Sequence, residues 1–308
     1  MRPFFIDCDT GRDDALALWL CAAWKLPLCG VVATFGNVSF DHVYENCRRV
    51  LALAGLNDVP VWQGARLPSR PHAAYEGNVL PRHLISGNGL CDLELPEAPP
   101  MPDLSLDDLA KAIIDKALGE GPVDYFITGP ASSFAALCDI WGMENTPRYI
   151  NRVIMMGGKF SPLWDEMPVA DFNMIADPFA VDALLASGVD VTFVPMNTSW
   201  PVFATLEELE AMKVQNTLGQ WTLDLMIAHL RHFAPEPLFR FHDPCVIMAA
   251  SQAGEGDFKT VELAMTTAEG PDFARLAVVP QGAKAKLYAP SEQPEVLKQI
   301  MLDALCGA

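Results

Sequence analysis

The chain has 308 residues, 51% of them hydrophobic, enough to bury the core of one large α/β domain. Its formal charge of −18, from 21 Lys and Arg against 39 Asp and Glu, excludes partners that depend on clustered basic residues, namely nucleic acid and anionic membranes. Eight cysteines without a C-x-x-C pair lie mostly in apolar segments, as reduced core thiols do. No apolar run reaches the ~20 residues of a bilayer span, and residues 2–4 begin folded-looking sequence without a basic, then apolar, leader, so a cytoplasmic location is expected.

Residues 3–6 read as a short buried strand, Gly11 permits a tight turn, and 15–24 is apolar almost all round, as in a core helix. Between them stand Asp7, Asp9, Asp13 and Asp14. Asp7 and Asp9 are two apart, which on a strand points both side chains to one side; Thr10 is a candidate N-cap, with Asp13 and Asp14 in the first helical turn. Capping explains one acidic residue, not four. Carboxylates crowded into a corner repel and raise one another's pKa unless a cation or shared proton neutralises them, and oxygen-only donors favour a hard ion, Ca²⁺ or Mg²⁺.

Residues 28–35 read as a buried parallel strand ending at Gly36-Asn37, followed by a helix over 40–54 and a short strand at 59–62. Residues 64–104, rich in Gly, Pro and His, read as a functional loop or flap. A helix over 106–118, a strand over 123–127 ending at Thr128-Gly129-Pro130, a helix over 131–140 and a strand over 152–156 ending at Gly157-Gly158 continue the alternation. Residues 159–173 then collect Trp164, Asp165, Glu166, Asp171 and Asn173 before a helix opening at Asp177-Pro178. A strand over 190–195, helices over 205–212 and 216–233, and Phe241-His242-Asp243-Pro244 opening a helix through Ala250 follow, then β-hairpin material and a helix over 292–305.

Helices alternating with strands that end in polar residues predict an α/β fold: an open, mostly parallel, doubly wound (Rossmann-like) sheet with helices on both faces and a small C-terminal β-hairpin region. A single domain over 1–308 is expected. The polar clusters should converge in a cleft beyond the carboxyl edge of the sheet, with donors suited to a polyol. Singly, Asn37 and Thr128 are turn residues, His242 is an ordinary histidine, and Asp243 before Pro244 is a natural N-cap; Asp171-Phe172-Asn173 has no evident structural duty.

The run Asp7-Cys8-Asp9-Thr10-Gly11-Arg12-Asp13-Asp14-Ala15 resembles the N-terminal signature of the inosine-uridine-preferring nucleoside hydrolases. Gly36-Asn37, Thr128-Gly129, Met155-Met156-Gly157-Gly158, Asp171-Phe172-Asn173 with Asp177-Pro178, and His242-Asp243-Pro244 recur in that family's order. The resemblance implies Ca²⁺ held by Asp9, Asp14, Asp243 and the Thr128 carbonyl, with Asp7 supporting. It also implies Asp13 and Asn173 on the ribose 2′- and 3′-hydroxyls, and Asn37 and Met156 lining the sugar pocket. The implied reaction is hydrolysis of a ribonucleoside to base and ribose, with Asp9 as general base on a metal-bound water and His242 as acid for the leaving base. A homo-oligomer, dimer or tetramer, is implied as well.

Two departures from the family pattern stand out. Asp171 replaces the usual Glu, with Asp165 nearby in place of a Gly-Asn pair, where the sugar's 5′ end is recognised; and Ile85 stands where the flap often carries His. Two other functions use the same residues. Asp7-Cys8-Asp9-Thr10 fits the D-x-D-x-T motif of haloacid-dehalogenase-type Mg²⁺ phosphohydrolases, although no Gly-Asp motif follows Asp190. A non-catalytic nucleoside or sugar binder would keep the diol-binding groups without needing Asp9.

Overall fold

The computed structural model describes residues 1–72, 86–160, 170–234, 236–251 and 256–307. Its first half is laid down by short runs of residues buried on both faces, the pattern of parallel strands. In order come β1 (Phe4–Cys8), α1 (Arg12–Ala23), β2 (Leu28–Ala33), α2 (Phe40–Leu53), β3 (Val61–Gln63), α3 (Leu106–Glu120), β4 (Val123–Ile127), α4 (Ser132–Trp141), α5 (Thr146–Tyr149) and β5 (Ile150–Met156). Then follow α6 (Phe172–Ala176), α7 (Pro178–Ala186), β6 (Asp190–Val194), α8 (Met196–Ser199), β7 (Phe203–Thr205), α9 (Leu206–Ala211), α10 (Thr217–His232), β8 (Leu238–Arg240) and α11 (Pro244–Ala250). The chain closes with β9 (Gly256–Met265), β10 (Leu276–Val278), β11 (Ala283–Pro290) and α12 (Pro294–Cys306).

Nine strands form one sheet in the order β10-β9-β11-β6-β5-β4-β1-β2-β3, parallel from β11 to β3 and antiparallel only in the C-terminal β9–β11 region. This is the expected architecture. One apolar layer, with Phe4, Ile6, Leu16, Trp19 and Val246, includes α1, α11 and α12; the other, with Phe5, Ile113, Tyr125, Phe134 and Leu184, includes α3, α4 and α7. Helix α1 is buried from Asp13 to Cys21, and Trp19 satisfies its indole N–H on the Val50 carbonyl at 3.0 Å.

The structure adds features that periodicity did not signal. Strands β7 and β8 pair as a separate antiparallel ribbon. The third strand is Val61–Gln63 rather than 59–62, because Pro60 cannot donate to a ladder. Asp171 is not idle: it caps α6, accepting from Met174 N at 3.4 Å.

Asp177 ties the start of the flap to the sheet. Fully buried, it accepts from Ser69 N at 2.6 Å, Ser69 Oγ at 2.8 Å, Ser132 Oγ at 2.6 Å and Ala180 N at 3.0 Å, the last capping α7. Asp177→Ala leaves these donors without an acceptor, so a loss of about 2–4 kcal/mol is expected. Chemical denaturation measures it; a change under ~0.5 kcal/mol would mean that water replaces the carboxylate, as at exposed positions.

Candidate active site

Chain order reverses beside β1: β2 and β3 extend the sheet one way, β4, β5 and β6 the other. Such a switch point opens a crevice at the carboxyl ends of the strands. The corner after β1 descends into it. The N-cap of α1 is Gly11, not Thr10 as expected; the Thr10 hydroxyl turns instead toward Cys47 Sγ at 2.9 Å and Cys8 Sγ at 3.2 Å. Asp14 Oδ2 accepts from Gly11 N at 2.9 Å, satisfying one orphan donor of the helix start.

Asp9 is fixed by the end of β2. Its Oδ2 accepts from Asn37 N at 2.7 Å, and Asn37 Nδ2 reaches Asp14 Oδ2 at 3.2 Å. Gly36 makes this approach possible, because a Cβ there would lie 2.0 Å from Asp9 Oδ2. Asp7 faces away from this network, into the α4 side, where its carboxyl accepts from Tyr125 Oη at 3.0 Å and Ser133 Oγ at 3.3 Å. Period-two alternation does not survive the end of the strand.

From β4, Thr128 Oγ1 donates to Asp14 Oδ1 at 2.7 Å, while the Thr128 carbonyl accepts Asn173 Nδ2 at 2.7 Å. Asn173 Nδ2 also lies 3.3 Å from the Met156 carbonyl. The first turns of α1 and α6 are thereby joined across the crevice. Asp243 stands at the N-cap of α11, yet its side chain caps no N–H. It is spent on the crevice instead: single oxygens of Asp13, Asp14 and Asp243, all buried, lie within 4.8 Å of one another.

Burial and mutual charge dominate this group. Burial, then the charge of Asp13, pushes the Asp14 carboxyl up to about 6; burial, then Asp14, holds Asp9 well above the usual range; Asp243 is raised by burial and then by Asp13, Asp14 and Asp9. Such a group relaxes only by binding protons or a cation. Its oxygens suit a hard divalent ion, and the Cys8 thiol is turned into the core beside Cys47. Burial also lifts Asp7 to about 8, outside the three-carboxylate group.

Asp13 and Asp243 of this group line a cavity of about 540 Å³. Its walls include Asp9, Asp13, Asn37, Thr128, Met156, Asp171, Asn173, His242 and Asp243, so these expected site residues converge. Asp165, Trp164, Glu166 and Ile85 lie outside the described residues. His242 Nδ1 pairs with Ser199 Oγ at 2.8 Å, and burial lowers its pKa to about 4. Its ring centroid lies 6.0 Å from that of Trp200, over which Arg240 stacks at 3.7 Å.

The cavity residues that escaped the sequence include Arg12, Lys159, Trp200, His229, Glu236 and Arg240. Only Arg12 stands inside a quoted signature, between Gly11 and Asp13. Lys159 lies in the field of Asp171. Asp171 itself is committed to backbone, accepting from Gly158 N at 2.7 Å where φ is +95°.

Residues 4–300 match the model of the inosine-uridine preferring nucleoside hydrolases. The pyrimidine-specific ribonucleoside hydrolase RihA of Photobacterium profundum is 30% identical over 252 residues, 80% of this chain and 78% of that protein. RihA of Shewanella sp. strain MR-7 is 29% identical over 252 residues, with 80% and 76% covered. Among solved structures, the plant nucleoside hydrolase PpNRh1 superposes with a TM-score of 0.85 at 20% identity, covering 100% of this chain and 99% of that one. A purine-preferring ribonucleoside hydrolase from Gardnerella vaginalis gives 0.82 at 23%, covering 99% and 98%.

Proposed function

Because the chain belongs to the inosine-uridine preferring nucleoside hydrolase family, and so is an enzyme that hydrolyses the N-glycosidic bond of ribonucleosides, we propose that it does so with a divalent cation, Ca²⁺, at the acidic floor and Asp9 as general base. The observation that carries this is the buried group of Asp13, Asp14 and Asp243 beside Asp9, carboxylates that call for a cation at the bottom of a nucleoside-sized cavity. Asp9, Asp14, Asp243 and the Thr128 carbonyl would hold the ion. When bound, it supplies positive charge that orients the ribose diol and acidifies a water.

The chain's own groups do the rest. Asp13 and Asn173 bind the 2′- and 3′-hydroxyls, with Asn173 kept in place by its bonds to the Thr128 and Met156 carbonyls. Asn37 holds Asp9 through a main-chain N–H, so its carboxylate meets the attacking water in one orientation and accepts the proton. As C1′ becomes cationic, the surrounding carboxylates and the Met156 sulfur favour that charge. His242 pairs with Ser199 Oγ through Nδ1; in the tautomer where the hydroxyl donates, the ring hydrogen sits on Nε2, and a neutral imidazole presents it to the departing base.

The relatives bear pyrimidine-specific names, so uridine and cytidine come first, with inosine as the purine comparison. Incubating each in ¹⁸O-labelled water and separating products should give free base and ribose labelled at C1. Intact nucleosides across the panel would dismiss the assignment; an intact nucleoside with a released phosphate from sugar phosphates would point to the dehalogenase-type alternative.

A further inference from the structure

The cation next to Asp13 has no assigned work. Arg12 is the first residue of α1 and is half-buried in the cavity wall, where its guanidinium makes no hydrogen bond or ion pair among the described residues. The other two cavity cations are engaged: Arg240 bonds Glu236 and the Trp200 carbonyl, each at 2.6 Å, and Lys159 lies in the field of Asp171. A half-buried unpaired guanidinium at the rim of an acidic site is costly unless a ligand completes it.

A second group points the same way. His229, on α10, lines the same cavity and is 5% exposed, yet its buried Nδ1 has no hydrogen-bond partner among the described residues. Its ring is held edge-on to Phe239, with centroids 5.6 Å apart at 87°, so it cannot turn freely to find one. Arg12 lies within electrostatic reach of His229, His242 and Cys91, so the guanidinium and the two imidazoles that line this cavity act on one another.

We propose that Arg12 is a catalytic residue that touches the departing base and stabilises the negative charge it gains, and that His229 Nδ1 engages the polar edge of the same base. This rests on the nucleoside-cleavage function above. In that step the C1′–N bond breaks with its electron pair going to the base nitrogen. The water oxygen bonds C1′ and its proton passes to Asp9; the departing base nitrogen, hydrogen-bonded by the neutral His242 at Nε2–H, takes its proton from solvent while Asp9 releases one to solvent. Negative charge thus appears transiently on the base, spread over its carbonyl oxygens, where a guanidinium can bind two acceptors at once.

The test compares uridine with 4-nitrophenyl riboside, whose phenolate leaves without help. Arg12→Gln should lose ~10²-fold in kcat on uridine but under ~5-fold on the nitrophenyl riboside, with Arg12→Lys recovering much of the loss. His229→Leu should raise KM for uridine and leave the nitrophenyl riboside unaffected. Melting temperature and bound metal should be unchanged, because Arg12 makes no hydrogen bond or ion pair among the described residues. Equal losses of Arg12→Gln on both substrates, or no loss on either, overturn the assignment while wild-type turnover keeps the cleavage function intact. Absence of wild-type turnover on both removes that function and this inference together.

Discussion

Asp9→Asn is expected to lower kcat on uridine by ~10²–10⁴-fold, about 3–5 kcal/mol of barrier, because the water loses its proton acceptor as it attacks. The amide is nearly the size of the carboxylate and can still accept from Asn37 N, now 2.7 Å from Oδ2, so the corner between β1 and α1 should keep its shape. Turnover must be measured at saturating Ca²⁺, since Asp9 is also a candidate metal ligand and weaker binding alone would raise the metal requirement rather than lower the plateau. A variant that reaches near-wild-type kcat at high Ca²⁺ would remove Asp9 from the proton-transfer role.

Asp14→Ala should be the more damaging change to the site as a whole. The carboxylate accepts from Gly11 N, Thr128 Oγ1 and Asn37 Nδ2, so its loss takes an acceptor from three buried donors and leaves the cation under-coordinated. Activity should fall at least ~10²-fold at ordinary Ca²⁺, and melting temperature in Ca²⁺ should drop by several degrees. In chelator the gap should narrow, because removing one of several crowded charges offsets part of the damage. The pH trend reverses likewise. With Asp14 at about 6 in the metal-free fold against 3.8 ordinarily, its stabilisation is present below 3.8 and lost as pH rises through 6. With the cation bound, protons compete, so stability should instead fall as pH drops below 6. Melting curves from pH 5 to 7.5 with and without Ca²⁺ check this; parallel curves would mean that no cation binds there.

Much of the site was legible because its residues break local rules. Four aspartates between an apolar strand and an apolar helix exceed what capping needs, and Asp243 looked like a cap but caps nothing. Asn37, Thr128 and Asn173 were readable only through order and strand ends, since each is also an ordinary turn residue. Arg12, Trp200, His229 and Arg240 carry no such mark: one arginine beside aspartates reads as surface charge, and His229 on α10 reads as part of a helix face until the fold turns that face into the cavity. Asp7 shows the opposite failure. Period two placed it with Asp9, but β1 ends at Cys8, before Asp9, and Tyr125 and Ser133 claim the Asp7 carboxyl. Similarly, β7 and β8 are three residues each, too short for alternation to register.

The central claim is that the acidic floor holds a divalent cation that ribonucleoside cleavage requires. Free ribose released from uridine should be followed with purified protein, with the same protein after exhaustive chelation and verified removal of divalent ions, and again after Ca²⁺ is restored. The account predicts release by the first, loss to background in the second and recovery in the third. Undiminished ribose release by the protein proven free of divalent metal would contradict it.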